Sequence, residues 1–135
     1  EKGLIAGSIT TKDLVATWNR YYQEYLQVTV PDDAQGVLQD IHWSHGSFGY
    51  FPTYSLGSFY AAQFFRTAQQ QITGLTEQIA AGNYQSLFQW LRTNIHGYGR
   101  FYTSNELCEK ITGETLQFRY FLEYAQEKFL AGGQG

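Results

Sequence analysis

No methionine occurs anywhere in this chain, so it does not begin at its own translation start and reads as a piece of a longer protein. Cysteine is nearly absent: the single Cys108 excludes an internal disulfide framework and fits a reducing compartment, with the cytoplasm as the expected location. No run of about twenty apolar residues is present to span a bilayer. The opening EKGLIAGSITTK lacks both the basic start and the apolar stretch of a signal peptide, so a soluble chain with no membrane partner is expected. Charge of either sign is sparse and scattered. Nine basic against twelve acidic residues give a net charge of −3 with no block of either, which leaves no electrostatic footprint for nucleic acid. Also missing are HExxH, a cysteine pair, GxGxxG, GxxxxGK[ST] and GxSxG, and with them any recognisable zinc, nucleotide or serine-nucleophile signature.

What the chain does have is hydrophobic and aromatic surface. At 135 residues and 43% hydrophobic content it is long and apolar enough for one domain with a core, spanning 1–135. Eleven Tyr and ten Phe exceed what a small interior needs, so some rings are expected to face a partner domain, a substrate or a second subunit.

Apolar spacing is helical almost throughout. Thr10 and Asp13 are placed like a capping box ahead of a helix over 10–27, whose face is Leu14, Trp18, Tyr21, Tyr22 and Tyr25. Pro31 and the β-branched VTV end it, and Asp32 and Asp33 cap a short helix over 34–43. After the glycine-punctuated loop HGSFG, Pro52 opens a helix to Ile72 that should start buried and emerge, with Gly57 marking a close crossing. Shorter helices follow over 75–81 and 83–95. Thr103 and Glu106 form a capping box for a helix ending at Gly113, and a last helix runs from 116 to 130 before GGQG. The fold class is therefore all-α, a bundle of about six helices that is incomplete by itself.

Chemistry concentrates in GVLQDIHWSHGSFGYFPTY, residues 36–54. His42 and His45 sit three apart and would share a helix face, as zinc ligands do, but His45 abuts Gly46 and no third ligand has a recognisable position. The other reading of His42 is a hydrogen-bonded core residue with Asp40 or Gln39 as partner. Gln39, Asp40, His42, Trp43, Tyr50 and Tyr54 fall on a short helix, a tight loop and the start of a long helix. His and Tyr are donors of the kind that stabilise an oxyanion, while the plainer reading makes Tyr50 and Tyr54 core aromatics with wet hydroxyls. Cys108 lies on an apolar helix face as a small core residue, and Arg100 in GYGRFYT reads as a solvated side chain.

GVLQDIHW matches the G-x-x-Q-D-x-H-W signature of the Taq-type zinc metallocarboxypeptidases, and GSFGYFPTYSLG follows it as it does in that family. The likeness extends from LVATWN and PDD to ELCEKITGETL, so the chain resembles the C-terminal quarter of such an enzyme. The resemblance implies a mainly helical, gluzincin-like metallopeptidase, usually homodimeric, that removes C-terminal residues from peptides with broad specificity. It implies zinc, or another divalent metal, held by an HExxH helix and a downstream glutamate in the remainder of the enzyme chain. No metal is expected on this piece, which would be inactive alone. By the same resemblance Tyr50 is the oxyanion donor and His42 a donor to the substrate backbone, as in the related angiotensin-converting-type peptidases. Gln39, Asp40, Trp43 and Tyr54 are the substrate-side positions, Asp40 orienting His42. His45 stands where many relatives have Gly and is not made a ligand. The competing expectation is a free-standing, non-enzymatic helical module for peptide binding or assembly.

Overall fold

The computed structural model describes residues 1–130; the GGQG ending lies outside them. Every regular element among the described residues is helical, in keeping with the all-α expectation. The chain divides into two compact units, Glu1–Thr53 and Tyr54–Gly135.

In the first unit, α1 (Lys2–Ile5) is a single turn with no periodic signal in the sequence. Gly3 allows it: a Cβ there would collide with the Ile9 side chain, which folds back over the turn. A 3₁₀ turn over Thr11–Asp13 leads into α2 (Leu14–Leu26), and the Asp13 carboxylate accepts from the Thr10 amide at 3.1 Å and the Thr10 hydroxyl at 2.7 Å. Trp18 stacks on Tyr22 at 5.2 Å along the helix. Gly36 is buried because Val30 Cγ1 and the Asp32 carbonyl stand 2.6 and 3.1 Å from where a Cβ would be, and Val37 is buried beside it.

The short helix expected over 34–43 does not form. In its place are two 3₁₀ turns, Val37–Gln39 and Trp43–His45, separated by Asp40 in extended backbone (φ −82°, ψ 111°). Asp40 offers its own carboxylate to the backbone N–H two residues on, at 2.8 Å, and this local bond replaces the helical one.

The second unit is built on α3 (Pro52–Gln71), whose first turn starts just before the boundary, followed by α4 (Leu75–Ala80), α5 (Gln85–Asn94), α6 (Ser104–Thr112) and α7 (Arg119–Phe129). The burial of α3 runs opposite to expectation. Residues 52–58 are exposed and Gln63 and Ala68 are fully buried, because α4 and α5 fold back across its second half. Gly57 has open space within 4 Å of a built Cβ, so no close crossing explains it. The core joins Ala68, Leu75 and Trp90, flanked by Phe64, Ile72, Leu87 and Leu91. The Trp90 indole donates to Gln71 Oε1 at 2.7 Å, which satisfies its one polar atom.

Gln63 is a buried polar hub that no periodicity announces. Its amide nitrogen donates to Thr112 Oγ1 at 2.9 Å and to the Thr115 carbonyl at 3.2 Å, and its oxygen accepts from the Gln117 amide at 2.8 Å. Tying Gln117 to α3 in this way delays the last helix, expected from 116, until Arg119. Cys108 is fully buried, and burial pushes its thiol above the ordinary range, as a core residue requires.

Two outcomes are expected. Gln63→Leu preserves volume but strands the Gln117 N–H, so urea denaturation should show a loss of about 1–3 kcal/mol. The Glu106 carboxyl is held below its ordinary range by the Thr103 amide first and the Thr103 hydroxyl second, and Asp13 is lowered similarly by Thr10. A carboxyl lowered by folding stabilises the native state above its unfolded pKa and ceases to do so as pH falls through the folded value. Melting temperature should therefore drop below about pH 4, and Thr103→Ala should flatten that acid limb while lowering the neutral-pH plateau.

Candidate functional site

Asp40 organises the elbow at residues 36–54. Its Oδ1 accepts from the His42 amide at 2.8 Å and lies 2.9 Å from His42 Nδ1. A carboxylate has no hydrogen to give, so Nδ1 carries the proton and the ring presents Nε2 away from Asp40. The two side chains are 8% and 16% exposed, sheltered enough for the pair to set the ring's orientation. His42 thus belongs with Asp40 rather than Gln39.

Around the imidazole stand two rings from the far side of the glycine loop. Tyr50 lies 5.7 Å from His42 between centroids and Phe51 lies 4.9 Å away. Tyr50 is half-exposed, so it is a rim residue of this unit and not a core aromatic. The loop between them turns through Gly46 and Gly49, both at positive φ (81° and 74°), a region that strains any residue with a Cβ. Ser47 closes the turn by donating its amide to the His42 carbonyl at 2.9 Å.

Trp43 is held by a residue that nothing in the local sequence signals. The Glu1 carboxylate accepts from the Trp43 indole at 3.0 Å with one oxygen and from the Gly49 amide at 2.9 Å with the other. Phe48 lies nearly parallel to the Trp43 indole, 6.4 Å away at an interplanar angle of 7°. The partners are more than forty residues apart in the chain, so no spacing rule could have paired them.

Of the other expected site residues, Gln39 donates its amide to the Ala34 carbonyl and braces the preceding turn. Tyr54 occupies the first turns of α3, in the second unit, and is exposed; its carbonyl accepts from the Ser58 hydroxyl at 3.2 Å. Asp40, His42, Trp43 and Tyr50 share one unit, with Phe51 and Glu1 as additions.

The donors present do not make a metal shell. His42 and His45 are 6.0 Å apart between ring centroids, with Nδ1 of one on Asp40 and of the other 2.9 Å from Ser47 Oγ. Among the described residues no three His, Cys, Asp or Glu side chains are gathered as metal ligands. In the second unit a concavity of about 640 Å³ is walled by Tyr60, Phe64, Phe65, Leu87, Leu91 and Phe121, apolar surface without acid–base groups beyond tyrosine hydroxyls. No described helix is long and apolar enough to cross a membrane.

A family model described as Carboxypeptidase Taq (M32) metallopeptidase matches residues 1–129. Thermostable carboxypeptidase 1 of Thermus thermophilus is 40% identical over 131 residues, which cover 97% of this chain and 26% of that protein. A solved structure named CHT superposes with a TM-score of 0.93 at 74% identity, over 97% of this chain and 27% of that one. The M32 carboxypeptidase from Deinococcus radiodurans R1 gives 0.89 at 34% identity, over 94% of this chain and 26% of its own. The chain spans about a quarter of the length of these relatives.

Replacing Asp40 by alanine removes both bonds to His42. Stability should fall by about 1.5–3 kcal/mol, as for hydrogen bonds to a charged group. Nuclear Overhauser contacts between the His42 and Phe51 rings should weaken at the same time; unchanged contacts would show that something other than Asp40 sets the ring.

Proposed function

Because this chain belongs to the carboxypeptidase Taq (M32) metallopeptidase family, we propose that it is the C-terminal portion, residues 1–135, of an enzyme that hydrolyses C-terminal residues from peptides. Its part in that reaction is to hold the substrate and its transition state. The observation that carries this reading is the pairing of His42, oriented by Asp40, with a half-exposed Tyr50 whose ring is 5.7 Å away.

The chemistry follows from what the two groups can do. When water adds to a scissile carbonyl, charge develops on the carbonyl oxygen, and a preoriented O–H donor stabilises that oxygen more than the starting carbonyl. Tyr50 carries such a donor on the rim. His42 donates Nδ1–H to Asp40, so it donates a second hydrogen bond, to substrate backbone, only as an imidazolium; its neutral form offers Nε2 as an acceptor. Trp43 shapes the loop, Gln39 braces the turn before it, and Tyr54 extends the aromatic lining on the substrate side.

The residues present do not fit a metal, and no step runs through one here. In the whole enzyme zinc would be held by the remainder of the chain, in keeping with the metallopeptidase family, and this piece alone would be inactive. The exposed aromatics of α3 and the apolar concavity are where that remainder, or a second copy in a homodimer, would cover this surface. A cytoplasmic setting rests on the lone, reduced Cys108.

Tyr50→Phe in the full-length enzyme tests the reading. Loss of one oxyanion donor should lower kcat about 10²- to 10³-fold with metal content unchanged, by peptide turnover and atomic absorption in parallel. Loss of metal in place of turnover would assign Tyr50 a different role, and robust peptide hydrolysis by the isolated chain would overturn the division of labour.

A further inference from the structure

Glu1 lies at the other end of the first unit's sequence from the elbow, yet its two carboxylate oxygens are both spent there. Oε1 accepts from the Trp43 indole at 3.0 Å and Oε2 from the Gly49 amide at 2.9 Å. Trp43 directly follows His42, and Gly49 directly precedes Tyr50. One side chain therefore spans the loop at the two positions that adjoin the groups of the candidate site.

The loop needs such a brace. Gly46 and Gly49 both sit at positive φ, where glycine is permissive and the chain has many alternatives to lose. Its other ties are local: Gly46 to the Trp43 carbonyl at 3.1 Å, Ser47 to the His42 carbonyl at 2.9 Å, and Phe48 to the Gly46 carbonyl at 3.0 Å. Those bonds shape the first half of the turn and leave the Gly49–Tyr50 end to be placed by Glu1. Bonds to an ionised acceptor are stronger than neutral ones and more directional than the stacking of Trp43 on Phe48. Glu1 is itself held, since its carbonyl accepts from the Ile5 amide at 3.0 Å in the turn of α1, which Ile9 packs against.

We propose that Glu1 is a positioning residue, whose forked carboxylate sets the spacing between His42 and Tyr50. The inference rests on the role of Tyr50 proposed above. It assigns Glu1 no contact with substrate: it acts through the loop, so its effect depends on Tyr50 being there to be placed.

The test is a double-mutant cycle in the full-length enzyme with Glu1→Gln and Tyr50→Phe. Glutamine keeps the shape and one acceptor oxygen but turns an NH₂ group toward a donor, so only one of the two bonds survives. Misplacing a transition-state donor should lower kcat roughly 10- to 100-fold while KM stays within about two-fold. In the Tyr50→Phe background the same change should cost almost nothing further, the signature of two residues acting as a unit. The Trp43 indole N–H resonance should move upfield in the Glu1→Gln protein, reporting the altered bond independently of turnover. Equal losses in both backgrounds, or an unchanged kcat in Glu1→Gln with Tyr50→Phe impaired, would overturn the positioning role and leave the role of Tyr50 intact. A fully active Tyr50→Phe enzyme would instead remove the premise.

Discussion

A single oxygen, Oδ1 of Asp40, accepts from both the amide and the ring of His42, and the elbow takes its form from that choice. An aspartate that captures the N–H two residues ahead removes that group from any helical ladder, so 34–43 breaks into two 3₁₀ turns with an extended residue between them. The same bond selects the tautomer of His42 and aims its remaining nitrogen. Backbone course and side-chain chemistry are thus decided by one interaction, and the glycines after it only have to return the chain so that Tyr50 and Phe51 meet the imidazole.

The two units differ in how they are held. The second has a small apolar centre in Ala68, Leu75 and Trp90, and beside it a fully buried amide, Gln63, with all its hydrogen bonds directed at the 112–117 segment. Such a hub costs desolvation and returns specificity: it settles where α6 ends and α7 begins, which apolar packing alone leaves free to slide. The first unit has Val37 as its buried hydrophobic side chain among the described residues and leans on polar ties instead. Aromatic side chains left on the surface, among them Tyr54 at 56%, Phe65 at 37% and Phe118 at 54%, fit a chain about a quarter the length of its relatives. The aromatic excess in the composition is there because these rings have work outside this piece.

The all-α class, the capping boxes at Thr10 and Thr103, and the buried Cys108 could be read directly, because each rests on contacts within four residues or on a stripe of apolar positions. The GVLQDIHW signature with its following glycine loop led to the family on residue identity alone. The coupling of Asp40 to His42 was within reach too, since the partners are two residues apart. The reversed burial of α3 was not: both halves of that helix are apolar, and which half is covered depends on where α4 and α5 fold back.

By itself, then, the sequence determined the helical elements and their caps, the family, and the candidate pair of His42 and Tyr50, all of them matters of local spacing or of residue identity. Tertiary structure alone decided that Asp40 breaks the short helix, that Gln63 becomes a buried hub, and that Glu1 reaches across more than forty residues to Trp43 and Gly49. The physical reason is the same in each case. A polar side chain's partner is chosen by which unsatisfied group the fold brings within about 3 Å, and along the chain that group can stand anywhere.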